Sequence, residues 1–453
     1  MQKNLIKKYN VPGPRYTSYP TVPYWEHPEL ELEDWLESVK RSFSETNHRD
    51  GISLYIHLPY CESLCTFCAC NKRITVNHAV EEPYINAVLD EWKMYVDIFP
   101  SVPRIKEIHL GGGTPTFFSP QNLDKLINGI LSISEKCEGA EFSFEGHPKN
   151  TTEDHLQTLF NIGFNRVSVG VQDFDPVVQD VINRIQPYEM VEAVTVAARK
   201  IGYDSLNFDL VYGLPLQTKT SIEDTFEKVM RLRPDRIAYY SYAHVPWHGA
   251  GQRKFSEDDL PADDEKRELY ELGRDKLEEA GYHEIGMDHF ALEDDTLYTA
   301  SKAKKLHRNF MGYTANHTQL MIGLGVSSIG DTLYAFGQNV KTVEGYMEKV
   351  NDGNFPIFRG HILSDDDLIV RKHITNIMCN YETTWDSTLD TQPVIQDGVF
   401  RLKELELDGL VVVKENGLMV PDVGKPFIRN ICMALDARLW ANVPETEVFS
   451  KTI

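Results

Sequence analysis

The chain has 453 residues, 42% hydrophobic and 25% charged, enough for one large domain with appendages or for two to three domains. That balance belongs to an ordinary soluble globular protein, and no stretch approaches the roughly 18 consecutive apolar residues of a membrane helix. A formal net charge of -22 speaks against nucleic acid as a partner, because phosphate binding needs basic surface.

The start, MQKNLIKKYN, has lysines with no apolar core behind them, so it does not read as a secretory signal, and a cytoplasmic location is expected. Residues 1–50 read as an N-terminal arm. Pro12, Pro14, Pro20 and Pro23 keep it extended or turning, and Tyr16, Tyr19, Tyr24 and Trp25 give it something to lay on another surface.

From residue 51 the pattern alternates. Strands are expected at 53–57, 105–110, 141–145, 166–170, 206–210 and 236–240, with helices at 81–95, 120–134, 152–161, 188–201 and 220–232. Short strands separated by helices of this length imply parallel βα units, and six of them suggest a barrel with its chemistry at the strands' carboxyl ends. A helix over 263–280 follows, then YHEIGMDHF and the glycine-punctuated MIGLGVSSIG. The run DGNFPIFRGH reads as a linker that closes a catalytic region at 51–350 and opens a C-terminal domain at 351–453. There an acidic helix start, then helix, strand, turn and strand, give a mostly helical, winged-helix-like pattern without a basic stripe.

Four of the seven cysteines fall within YIHLPYCESLCTFCACNK. Cys61, Cys65 and Cys68 have the spacing C-x3-C-x2-C just after the first strand, and Cys70 follows. A loop this short can wrap three thiolates around one compact inorganic core. An iron–sulfur cube held by three cysteines keeps one iron free for a small molecule. The competing readings are a structural zinc site, which takes two ligand pairs from separated segments, a disulfide framework, which needs an oxidising compartment, and inert thiols. Cys137, Cys379 and Cys432 are isolated and read as buried small hydrophobes.

Other candidates sit just after strands. Gly111-Gly112-Gly113-Thr114 allows close backbone approach to a ligand, or is simply a tight turn; it lacks dinucleotide-fingerprint spacing. Glu145 suits an ammonium or ribose hydroxyls, Asp209 ribose hydroxyls, and Arg184 a carboxylate, against the plain alternatives of rim salt bridge, strand-end cap and surface arginine.

The cysteine spacing, with Phe67 before the third cysteine, resembles the radical S-adenosylmethionine superfamily. Cys70, together with VPGPRYTSYPT (11–21), GGGTPT (111–116), GVQDFD (170–175), DLVYGLP (209–215), GMDHFA (286–291), HRNF (307–310) and RNICM (429–433), resembles the oxygen-independent coproporphyrinogen III oxidases nearly end to end. The resemblance implies an α/β fold, an incomplete (β/α)6 barrel open to a large substrate. It implies one [4Fe-4S] cluster on Cys61, Cys65 and Cys68, with Cys70 outside the ligand set. It further implies two S-adenosylmethionine molecules, the first near Tyr55, Phe67, Gly112, Glu145 and Ile329, the second near Gly113, Thr114, Gln172, Arg184, Asp209 and Ala243. The implied substrate is coproporphyrinogen III, two of whose propionates become vinyl groups, and the implied electron donor is a reduced flavodoxin- or ferredoxin-like protein. A monomer is expected.

Met311 stands where the family often has glutamine. A four-carboxylate substrate meeting an acidic protein calls for a local basic pocket. His307, Arg308 and, on the arm, Arg15 are candidates for it, with a buried structural ion pair as the plain alternative for the first two. A haem-directed radical methyltransferase and a haem chaperone are the rival readings.

Overall fold

The computed structural model describes residues 2–25, 30–246, 250–385, 393–444 and 448–452. All six expected strands are present: β1 (Ile52–Leu58), β2 (Arg104–Gly112), β3 (Glu135–Gly146), β4 (Arg166–Gln172), β5 (Ser205–Tyr212) and β6 (Arg236–Ser241). They pair in chain order and in parallel. The connecting helices are Glu81–Ile98, Pro120–Leu131, Glu153–Ile162, Tyr188–Ile201 and Lys219–Leu232. Each starts or faces the sheet for a local reason. Ser119 caps the second by accepting from Asn122 N, Pro120 begins it, and Leu123, Leu126, Ile127 and Ile130 form its buried stripe.

Strand alternation separates two environments. Leu54, Ile56, Ile108, Leu110, Phe142, Phe144, Val167, Val169, Leu206 and Phe208 join the helices in the main core. The intervening residues, among them His109, Glu145, Arg166, Ser168, Asn207 and Asp209, face a polar interior. Buried charges there are paired: Arg236 with Asp295 at 2.7 Å and Arg166 with Glu141 at 2.8 Å.

The sheet extends past both edges of these six strands. β7 (His283–Gly286) and β8 (His289–Ala291) add antiparallel after β6. Beside β1 run β9 (Met321–Leu324), parallel to it, and then β10 (Ile329–Asp331), β11 (Ala335–Asn339) and β12 (Ile357–Ile362), all antiparallel. The order is β12-β11-β10-β9-β1-β2-β3-β4-β5-β6-β8-β7, and the edge strands do not pair, so this α/β barrel is incomplete. The segment DGNFPIFRGH, expected as a linker, instead contains β12. Its Ile357, Arg359, Gly360, His361 and Ile362 pair along β11, a register that one Pro and two Gly in the segment conceal from a composition reading.

A buried carboxylate secures this extension. Glu91, fully buried on the first connecting helix, accepts from Gly325 N at 2.8 Å, Asn339 Nδ2 at 2.7 Å and the Tyr346 hydroxyl at 2.6 Å.

The arm differs from expectation in one respect. Residues 32–46 form a helix, Leu32–Thr46, whose Trp35, Val39 and Phe43, four apart, enter the main core. The apolar period there wins over the proline-rich context upstream. A short helix, Gln2–Tyr9, precedes the extended part. Tyr9, Tyr16 and Tyr19 are buried in the C-terminal core. Arg429, 4% exposed, donates to the carbonyls of Gly13, Pro14, Ser450 and Lys451, so one guanidinium fastens the arm to the segment near residue 450. The blocks at 11–21 and 429–433 are thus two halves of one contact.

In the C-terminal part, helix Asp365–Asn380 opens with Ser364 and Asp367 in a capping box. Helices Pro393–Arg401 and Lys403–Leu407 precede a hairpin of Val412–Lys414 and Gly417–Met419, which Glu382–Thr384 completes as a three-stranded sheet. This is the expected winged-helix-like pattern. Among the described residues no helix is long and apolar enough to cross a membrane.

Candidate functional site

The cysteine loop leaves the carboxyl end of β1 and is closed at its root. Tyr60 and Cys61 pair with Arg73 and Ile74, Arg73 N donates to Pro59 O at 2.8 Å and Thr75 N to Cys61 O at 2.9 Å. Its outer side is held by Thr66, which donates from N and Oγ1 to Ile182 O and Val181 O, and by Asn183 Nδ2 on Leu64 O at 2.7 Å. Phe67 packs toward Val178, Ile182 and Phe255, and its carbonyl accepts from Gln252. The loop is therefore fixed by neighbours, not by its own sequence.

Cys61, Cys65, Cys68 and Cys70 all line one cavity of about 270 Å³, together with Phe67, Gly112, Gly113, Thr114, Glu145, Gln172, Arg184 and Asp209. Eleven of the fourteen sequence candidates thus meet around one space. Among the described residues no three His, Cys, Asp or Glu side chains stand close enough to share a single metal ion.

Two hydrogen-bond donors point at thiol sulfurs. Thr114 Oγ1 donates to Cys61 Sγ at 3.3 Å, and Arg184 Nη1 to Cys65 Sγ at 3.5 Å. Cys70 beside it, and then Lys72 and Arg184, lower the Cys68 thiol below its usual range, while the same pairing raises Cys70. Lys72 Nζ also donates to Cys68 O and Cys70 O. Burial pushes Cys61 up to about 11, with Thr114 opposing it. These donors fit a cluster whose thiolates must stay ionised.

The glycine motif serves the loop as much as any ligand. A Cβ on Gly113 would lie 2.5 Å from the Pro59 carbonyl, and Gly112, at φ +114°, would place one 2.8 Å from the His57 ring. Gly113 N donates to Leu58 O and Thr114 N to Tyr60 O, stitching the ends of β1 and β2 together. Gly112 N donates to Glu145 Oε2 at 3.3 Å. Burial alone would raise the Glu145 carboxyl, but His109 and this N–H hold it below the ordinary range. Asp209 accepts from Ser168 Oγ and Asn207 Nδ2, and burial, aided by Glu145, lifts it to about 6. Gln172 sits at φ +65°, where the β4–β5 pairing slips register. Arg184 Nη2 donates to Gly170 O at 2.6 Å and Nε to Gln186 at 2.9 Å.

Tyr55, Ala243 and Ile329 stand outside the residues lining this cavity. Tyr55 is inside the barrel, stacked 6.1 Å from His109 and hydrogen-bonded to His57 at 3.1 Å. Ala243 follows β6, its carbonyl accepting from Gln252. Ile329 begins β10 among Trp25, Phe336 and Leu363.

Glu145, Asp209 and Tyr240 also line a second, inner chamber of about 140 Å³ within the barrel, with His109, His289, Met311 and Tyr313. Met311 therefore faces the barrel interior. Sequence reading passed over His57 and His109, which hold Tyr55, Gly112 and Glu145 in place; period-two alternation from Tyr55 and from Gly111 was the signal for both. It also passed over Lys72, which carries no periodic signal. His147, Lys149 and Glu62 complete the rim.

The basic candidates separate. Arg15 is ion-paired with Asp288. His307 lies 4.7 Å from His317 in another cavity, with Arg371 and Asp331, and burial keeps it neutral. Arg308 has no carboxylate partner among the described residues, which removes the ion-pair alternative for it.

A family model described as the Radical SAM superfamily matches residues 55–229. The chain is 39% identical over 457 residues to the oxygen-independent coproporphyrinogen III oxidase of Helicobacter pylori strain J99, covering 99% of this chain and 98% of that one. It is 38% identical over 442 residues to the enzyme of the same name from Escherichia coli K12, covering 96% and 95%. A solved structure of Escherichia coli coproporphyrinogen III oxidase, described as a radical SAM enzyme, superimposes with a TM-score of 0.89 at 36% identity, covering 96% of this chain and 98% of that one.

Proposed function

This chain belongs to the oxygen-independent coproporphyrinogen III oxidase family of radical S-adenosylmethionine enzymes, and from that premise we propose that it converts coproporphyrinogen III to protoporphyrinogen IX. The observation that carries the reading is the meeting of three thiols, two of them with donors aimed at their sulfurs, in a cavity continuous in its lining with the barrel interior. When bound, the [4Fe-4S] cluster and S-adenosylmethionine supply a 5'-deoxyadenosyl radical, which takes a hydrogen atom from the β-carbon of a propionate; loss of carbon dioxide and of one electron to an acceptor then leaves a vinyl group.

The chain's own residues bind and orient. Cys61, Cys65 and Cys68 hold the cluster, and Thr114 and Arg184 stabilise its sulfur charge. Glu145, fixed by His109 and Gly112, holds the first S-adenosylmethionine, with Tyr55, Phe67 and Ile329 around it. A second molecule takes Gly113, Thr114, Gln172, Arg184, Asp209 and Ala243. Supporting this is one cavity that brings Glu145, Arg184 and Asp209 together with the three thiols. Met311 supplies an apolar wall where a glutamine would supply a polar one. The arm and the C-terminal domain close the barrel's open side. The protein acts as a cytoplasmic monomer that takes electrons from a reduced flavodoxin- or ferredoxin-like donor.

The test is anaerobic reconstitution with iron and sulfide, then incubation with coproporphyrinogen III, S-adenosylmethionine and a reductant. Vinyl products and 5'-deoxyadenosine are expected together. A reconstituted protein that yields neither ends this reading, and methylated or ring-opened haem in their place would move the chain to a different reaction.

A further inference from the structure

Arg308 sits on the short strand His307–Asn309, paired with Gly312–Thr314, and is 8% exposed. Its Cζ lies 4.4 Å from the centroid of the Tyr313 ring. Nη2 reaches Arg15 O at 3.5 Å, whereas Nε and Nη1 are buried with no acceptor among the described residues. The other two buried arginines are served, Arg236 by Asp295 and Arg429 by four backbone carbonyls, while half-buried Arg166 and Arg267, each with one nitrogen lacking an acceptor, are charge-paired with Glu141 and Glu271. A buried cation without an acceptor is destabilising, and an anion in contact with it relieves that cost.

Its position says which anion. Tyr313 contacts the guanidinium, and His289 and Tyr240 lie near enough to feel its charge; these three line the inner chamber that shares Glu145, Asp209 and Tyr240 with the cysteine cavity, so Arg308 stands directly behind that wall, with Cys379, Tyr381 and Cys432 on its other side. His289 carries no competing charge: burial and the nearby Arg308 keep it neutral, with Nδ1 on Met287 O at 2.8 Å and Nε2 3.4 Å from the Tyr240 hydroxyl. Arg15 is already neutralised by Asp288. In a chain of net charge -22, Arg308 is a buried positive group without a carboxylate partner among the described residues, next to the wall of the inner chamber, whereas Arg184 and Lys72, which also have none, line the cysteine cavity.

We propose that Arg308 binds a propionate carboxylate of the porphyrinogen and so selects a substrate that carries its carboxylates free. This rests on the function proposed above. The experiment uses the reconstituted full chain and measures fluorescence quenching of coproporphyrin III, which has the same four propionates, and of its tetramethyl ester. The unaltered protein is expected to bind the acid about tenfold or more tighter than the ester. Arg308→Gln is expected to lose about tenfold for the acid with the ester unchanged, and Arg308→Lys to lie between. An Arg308→Gln protein that keeps the acid-over-ester preference overturns the assignment, as does equal loss of both ligands. Weakened S-adenosylmethionine binding with porphyrin binding intact also overturns it, since the carboxylate would then be the cofactor's. If Arg308→Gln fails to hold iron and sulfide, Arg308→Lys decides alone, and an unchanged preference in that variant counts as refutation. Turnover of coproporphyrinogen III by the unaltered protein is scored separately, so that failure of the function and failure of the Arg308 assignment are told apart.

Discussion

The Thr114 hydroxyl donates to Cys61 Sγ across 3.3 Å, joining a ligand on the β1 loop to the exit of β2. Hydrogen bonds to cluster sulfurs raise the reduction potential, because they stabilise the added negative charge. Thr114→Val is isosteric and removes the donor alone. It is expected to keep full iron and sulfide content and to lower the cluster potential in a spectroscopic redox titration. Loss of iron in this variant would show the bond to be needed for assembly instead.

The proposed ligation divides the loop cysteines three to one. Serine substitution of Cys61, Cys65 or Cys68 is expected to bring iron and sulfide after reconstitution close to background. Cys70→Ser, at the exposed thiol of the set, is expected to retain the cluster. Iron analysis and the brown charge-transfer absorption decide between three-cysteine ligation and any scheme that uses Cys70.

Gly113→Ala places a methyl group 2.5 Å from the Pro59 backbone, which no side-chain movement relieves. Overpacking of this kind costs about 1–3 kcal/mol. Because the strain falls at the root of the ligand loop, cluster occupancy is expected to drop together with the melting temperature. A melting temperature equal to that of the unaltered chain would show that the β1 and β2 exits can part.

Asp209 is lifted to about 6 by burial and by Glu145, so it is ionised at pH 8 and largely protonated at pH 5. Ribose hydroxyls are better held by the carboxylate. Binding of the second S-adenosylmethionine proposed for this site is therefore expected to weaken as pH falls through about 6, and Asp209→Asn to bind weakly at every pH, with this titration absent. Calorimetric titrations of both proteins across that range check it.

Glu91 has its carboxyl raised from about 4.5 to about 7 by burial, against the pull of Gly325, Tyr346 and Asn339. The folded chain thus holds a proton that the unfolded chain releases, and stability falls as pH rises from about 4.5 to about 7, by up to about 3 kcal/mol. Glu91→Gln is expected to flatten that slope. Denaturant midpoints at pH 5, 6 and 7 for both proteins test the sign.

Much of this was legible in the sequence where a period or a spacing carried it. β1 to β6 and their helices follow from alternating apolar runs, and the ligand loop follows from three cysteines in eight residues. β7 to β12 were hidden because they are three to six residues long and, β8 apart, each carries a glycine, so their pairing comes from tertiary contact. The same holds within the site. Glu145 could be named from its place at the end of a strand, but its clamp by His109 depends on strands β2 and β3 lying in register, His109 opposite Ser143. Arg308 and His307 are neighbours in the chain, yet His307 lines the cavity with His317 while Arg308 turns to Tyr313, because a strand sends adjacent side chains to opposite sides.

The guanidinium of Arg429 grips carbonyls near residue 13 and near residue 450 at once, across separations of up to 416 positions. On the ribosome the first of these segments emerges long before its partner exists. The barrel strands can assemble in that interval, but Tyr16 and Tyr19 wait uncovered until residues 429–452 have emerged. A nascent chain stopped before residue 429 is therefore expected to carry a loose arm and exposed tyrosines, which makes the emergence of that late segment the step that fixes the arm.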